Sequence, residues 1–140
     1  MNSKIAFFLL LILAPFHGQA VELFFMERHN DPEGKEVIKL HCDQEEYCFV
    51  FFDYDFHHTK GIIDKKKVYE FIKNGQFDKV EQKFNKDCDL RNFTVHWKLN
   101  LNSNFLREGF VCRGLGKLPD QVLLFEAFLN KVPSGKVQNR

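Results

Sequence analysis

From Phe93 to Leu101 the chain alternates apolar and polar side chains without a break. Phe93, Val95, Trp97, Leu99 and Leu101 take one parity, and Thr94, His96, Lys98 and Asn100 the other. A strict period of two over this length predicts a strand with one packed and one wet face. Asn102-Ser103-Asn104 supplies the turn residues that end it. The run from Tyr47 to His58 reads similarly. Val50, Phe52, Tyr54 and Phe56 share one face, Asp53, Asp55 and His57 share the other, and Gly61 marks the following turn. Phe110 to Arg113 is a short strand candidate, followed by a loop containing Gly114, Gly116 and Pro119.

Three stretches stay ambiguous. Val21 to Arg28 clusters Leu23, Phe24 and Met26, and fits a helical turn or an edge strand. Lys35 to Cys42 is too short for its period to decide, and Asn30-Asp31-Pro32-Glu33-Gly34 before it reads as a turn. In Val122 to Leu129, helical spacing fits Val122, Phe125 and Leu129, while strand parity fits Leu123, Phe125, Ala127 and Leu129. The middle of the chain changes period. Asp64 can cap a helix whose apolar stripe is Val68, Phe71 and Ile72, closed by Asn74-Gly75. Phe77 falls five residues after Ile72, out of phase with one continuous helix. A second short piece, with Asp78 and Glu81 as a capping box and Phe77, Val80 and Phe84 as its stripe, or a plain turn, therefore follows.

The first 20 residues read as a secretory leader, with Lys4 before an apolar run from Ile5 to Ala14. Pro15 breaks that run, and cleavage is expected after Ala20. A bilayer-spanning helix needs about 20 apolar residues, so no membrane span is expected. Residues 21–132 then form a single domain, and residues 133–140 a polar, frayed tail. The expected location is extracellular. All four cysteines, Cys42, Cys48, Cys88 and Cys112, lie beyond the leader. In an exported domain of this size they imply two disulfides, and sequence proximity favours Cys42 with Cys48 and Cys88 with Cys112. Asn92-Phe93-Thr94 is a glycosylation sequon at Asn92. Beyond Lys4 the chain holds 19 basic and 19 acidic residues, which argues against a nucleic-acid partner. The charges are segregated: residues 22–55 are acidic and residues 60–86 rich in lysine. Of 17 phenylalanines only Phe7, Phe8 and Phe16 belong to the leader, so the domain has the material for a core.

The order of pieces from Tyr47 onward resembles the secreted nuclear transport factor 2-like proteins abundant in nematodes. The pieces are Phe49-Val50-Phe51 followed by Asp64-Lys65-Lys66-Lys67-Val68, then Phe93-Thr94-Val95. Phe110-Val111-Cys112-Arg113-Gly114-Leu115-Gly116 and Leu124-Phe125-Glu126-Ala127-Phe128-Leu129-Asn130 complete the set, which covers about residues 47–137. The resemblance implies a curved antiparallel sheet around a cone-shaped cavity, with Val122–Leu129 as a strand. It also implies edge pairing or homodimerisation through the open sheet face. The family opens with a long amphipathic helix, for which Val21 to Leu40 offers only a short, turn-broken substitute.

The fold expectation is therefore α+β: one curved antiparallel sheet of four to five strands on two or three short helices, stapled by disulfides. Two constellations could carry chemistry. Asp53, Asp55 and His57 would lie on one strand face, where neighbours about 6.5–7 Å apart could share a metal ion pairwise. The plainer reading is a wet strand face. His58 would turn inward beside Tyr54 and Phe56, and Glu126 interrupts an apolar run. Glu126 with His58 or His96 is then the acid–base pair to test, since burial shifts the pKa of such groups. The plainer reading here is a surface carboxylate and core-edge histidines. Gly-rich phosphate loops, serine-hydrolase elbows and zinc-protease motifs are absent from the sequence, and no cofactor is expected. The leading expectation is a secreted, non-enzymatic binding protein, for a small lipophilic molecule or an extracellular protein. A small isomerase or lyase with an inward histidine–carboxylate pair, and a secreted effector, are the alternatives.

Overall fold

The computed structural model describes residues 21–30, 34–43, 45–80, 88, 93–102, 105–114 and 116–137. The leader, the sequon at Asn92, and Glu81 and Phe84 of the second helical piece lie outside the described residues. The chain builds β1 (Val21–Asn30), β2 (Gly34–Cys42), β3 (Tyr47–Tyr54) and β4 (His57–Asp64). Helix α1 (Lys65–Asn74) and a 3-10 turn (Phe77–Lys79) follow. Then come β5 (Phe93–Asn102), β6 (Phe105–Cys112), helix α2 (Asp120–Asn130) and β7 (Ser134–Lys136). The α+β class with an antiparallel sheet and two disulfides holds. The expected strand number does not: one sheet of seven runs in the order β6-β5-β1-β2-β3-β4-β7.

Each added strand has a physical reason. Val21–Arg28, read as a helical turn or edge strand, lies inside the sheet as part of β1, between β2 and β5. Its period was hidden by a bulge: the register shifts between Glu22 and Phe24, so Leu23 and Phe24 are both buried although adjacent. The run from Tyr47 to His58 is two strands, because Asp55 and Phe56 form a two-residue turn between Tyr54 and His57. Asp55 takes a φ of 48°, which aspartate tolerates better than most residues, and its backbone N–H donates to the Lys35 carbonyl at 3.3 Å. Phe56 keeps the strand parity by coincidence and is 94% exposed. Gly61 is not a turn but mid-strand in β4. A Cβ there would meet the Pro133 carbonyl and the Val132 side chain at 2.8 Å each. The missing side chain thus lets the chain after α2 press onto β4. That approach places Ser134–Lys136, expected as frayed tail, in register with Thr59–Gly61 as β7.

Helix α1 begins as expected, with the Asp64 side chain accepting from the Lys66 N–H at 2.9 Å and Val68 and Ile72 buried. The second piece is the 3-10 turn, which buries Phe77. Val122–Leu129 is a helix, against the strand implied by the resemblance. Val122, Phe125 and Leu129 are buried, whereas Leu123 and Leu124 are 44% and 62% exposed. A strand would have buried Leu123 together with Phe125. The core lies between the two helices and one face of the sheet. Phe125 is its hub: its ring meets Phe24 edge-on at 4.9 Å and lies 5.7 Å from both Phe71 and Phe77. Both disulfides pair as expected. Cys42–Cys48 joins facing positions of β2 and β3, and Cys88–Cys112 ties residue 88 to the end of β6. Among the described residues no helix is long and apolar enough to cross a membrane.

Candidate functional site

Facing residues of antiparallel strands project to the same side, so the registers sort every side chain onto one of two faces. The core face carries Phe24, Met26 and Arg28 of β1, with Ile38, Leu40, Val50, Trp97 and Leu99 around them. Arg28 grips α2 from this side. Its Nη1 and Nη2 donate to Glu126 Oε1 and Oε2 at 2.7 and 2.8 Å, with Glu36 at 4.0 Å. The hydrogen bond that Arg28 donates to Glu126 raises its pKa above the ordinary value; burial opposes this, and the charges of Glu126 and Glu36 reinforce it. The fork is a structural clamp between sheet and helix.

The opposite face carries no described helix. It presents half-buried rings, Phe25 of β1, Phe49 and Phe51 of β3, Phe93 of β5 and Phe110 of β6, amid charged groups. His96 is the most enclosed of the ion-paired side chains there, 12% exposed. Phe110 stacks on its ring at 4.4 Å, and Phe25 and Phe93 approach edge-on at 5.6 and 5.7 Å. Its Nε2 is 2.6 Å from Glu108 Oε1. His58 Nδ1 lies 2.7 Å from Asp53 Oδ1, and His41 Nε2 is 3.4 Å from Glu22. Glu27 binds Lys35 at 2.6 Å and sits 3.6 Å from His29. Glu22, Glu27, Asp53 and Glu108 on this face thus each have a described cationic or imidazole partner, while Asp64, at the end of β4, caps α1.

The expected constellations come apart under these registers. Asp53, Asp55 and His57 do not share a face: Asp53 is on the open side, Asp55 is in the turn, and His57 faces Tyr54 on the core side. Among the described residues no group of three or more His, Cys, Asp and Glu could hold a metal ion. His58 does not point inward beside Tyr54 and Phe56, because the turn moves it onto the open face opposite Asp53. Glu126 pairs with Arg28 through the core face, while His58 and His96 lie on the other side of the sheet. The proposed acid–base couple is therefore not assembled. Sequence reading missed Arg28 as the partner of Glu126 and Glu108 as that of His96. Parity in β6, which puts Glu108 with Phe110, held the signal for the second; nothing local pointed to the first. No protein-family model matches the chain, and neither curated proteins nor solved structures give a match.

Proposed function

We propose that this is a secreted, non-enzymatic binding protein that recognises an extracellular partner with the open face of its sheet. The leader-like first 20 residues, the two disulfides and the even charge balance support this reading. The observation that carries it is the asymmetry of the sheet: α1 and α2 pack one face, while the other leaves five phenylalanine rings half-exposed. A broad aromatic surface with no helix on it among the described residues marks an interaction site. Its histidines His58 and His96 pair with Asp53 and Glu108 on this face, rather than with Glu126 across the core. The test is purification of the natural protein from the extracellular medium, native mass spectrometry, and hydroxyl-radical footprinting. The reading expects a retained partner that protects Phe25, Phe51 and Phe110. Retention inside the cell, or a partner that protects only α1 or α2, overturns it.

A further inference from the structure

One line of the open face runs straight across five strands. Lys98 of β5 faces Phe25 of β1, Phe25 faces Lys39 of β2, Lys39 faces Phe51 of β3, and Phe51 faces Lys60 of β4. Strands are spaced about 4.8 Å apart, so the lysines recur roughly every 9.6 Å over about 19 Å, with a ring between each pair. Lys60 already lies over an aromatic face, its Nζ 4.2 Å from the Phe49 centroid and 5.6 Å from that of Phe51. None of the three lysines forms an ion pair with a described carboxylate. Glu108 stands opposite Lys98 but is hydrogen-bonded to His96, and Asp53, Glu22 and Glu27 are engaged elsewhere on the face. Three lysines without an ion pair among the described residues thus lie in a row between phenylalanines, while Asp64, at the far end of β4, accepts from the Lys66 N–H as the cap of α1.

We infer that the row Lys98–Phe25–Lys39–Phe51–Lys60 binds a sulfated polysaccharide laid across the strands. This rests on the open-face reading above and names its partner class. A sugar ring offers an apolar C–H face that packs on a phenyl ring, and its sulfates project to the sides where the ammonium groups stand. A stiff chain alternating flat apolar faces with fixed anions matches an alternation of ring and cation. An added peptide strand would run along β6 or β7 instead of across the sheet. Nucleic acid carries a denser charge and calls for a wider basic footprint than three lysines flanked by acids.

The experiment measures heparin binding by the leader-free chain at several salt concentrations, with fully desulfated heparin and single-stranded oligothymidine as comparison ligands. Two variants are made, Lys39→Gln/Lys60→Gln/Lys98→Gln on the row and Lys66→Gln/Lys67→Gln/Lys73→Gln on α1. Near-UV circular dichroism of Trp97 confirms that both keep the native packing. Three neutralised charges predict log K falling against log salt with a slope of about −2.1 to −2.7, roughly 20- to 40-fold between 50 and 200 mM. The row variant should lose at least tenfold and the α1 variant should match the wild type. Equal binding of desulfated heparin, loss with the α1 variant instead of the row variant, or row-dependent binding of oligothymidine as tight as heparin each overturns the inference. Such a result leaves the open-face reading to its own footprinting test.

Discussion

Trp97 and Gly109 face each other across β5 and β6 on the core side of the sheet, and the pair makes a quantitative prediction. A Cβ at Gly109 would stand 2.6 Å from the indole Nε1, 2.8 Å from Cε2 and 2.9 Å from Cζ2. Ordinary van der Waals contact begins near 3.4 Å, so the ring must withdraw by several tenths of an ångström. It has nowhere to go: Trp97 is 2% exposed, and on its other flank it faces Met26 of β1, itself 1% exposed. Overpacking of this kind costs about 1–3 kcal/mol. Replacing a strand glycine by alanine returns about 0.5–1 kcal/mol of backbone preference. The net expectation for Gly109→Ala is a destabilisation of up to about 2.5 kcal/mol, centred near 1 kcal/mol. Urea denaturation followed by fluorescence reads it directly, because Trp97 is the single tryptophan of the chain. The near-UV circular dichroism of that ring should change with it. A Gly109→Ala/Trp97→Leu double variant should show coupling, since the smaller side chain removes the clash. Gly109→Ala with an unchanged or higher midpoint and an unaltered near-UV spectrum would refute the packing argument.

Three further predictions concern how the helices and staples hold to the sheet. Phe125→Ala removes the ring around which Phe24, Phe71 and Phe77 gather, and should cost about 3–5 kcal/mol in chemical denaturation; a loss below 1 kcal/mol would mean that α2 is not docked as described. Glu126→Ala leaves the Arg28 guanidinium with Glu36 alone at 4.0 Å and should cost about 1–3 kcal/mol. Glu126→Ala together with Arg28→Met should recover part of that loss, as a double-mutant cycle would show. Disulfide removal should depend on loop length: separations of 24 and 6 residues correspond to about 3.4 and about 2.2 kcal/mol of chain entropy. Cys88→Ser/Cys112→Ser should therefore melt below Cys42→Ser/Cys48→Ser, and the reverse order in thermal scans would show that loop entropy does not govern these staples.

Legibility of the sequence followed how local each cause was. The strand at Phe93–Asn102, the Asp64 cap and the α1 stripe rest on neighbouring residues, and all appear in the structure. Both cysteine pairings, chosen for nearness along the chain, also hold. The reading failed where one residue changed the phase. The extra residue Leu23 disguised β1, and the Asp55-Phe56 turn inside an alternating run disguised the β3–β4 hairpin. That single turn also undid the site expectation, because a two-residue reversal moved His58 to the opposite face and separated Asp53, Asp55 and His57.

The amino-acid order alone determined the residue chemistry and the local periods: a sheet-forming, phenylalanine-rich, cysteine-stapled chain with helical pieces read within residues 64–86. Only the tertiary structure decided which residues share a face. Lys98, Phe25, Lys39, Phe51 and Lys60 come from five separate strands, and neither their line nor the Arg28–Glu126 clamp, 98 positions apart, leaves a periodic trace in the chain. Strand pairing joins distant positions through backbone hydrogen bonds that are indifferent to side-chain identity, so register follows from burial of the whole sheet against α1 and α2.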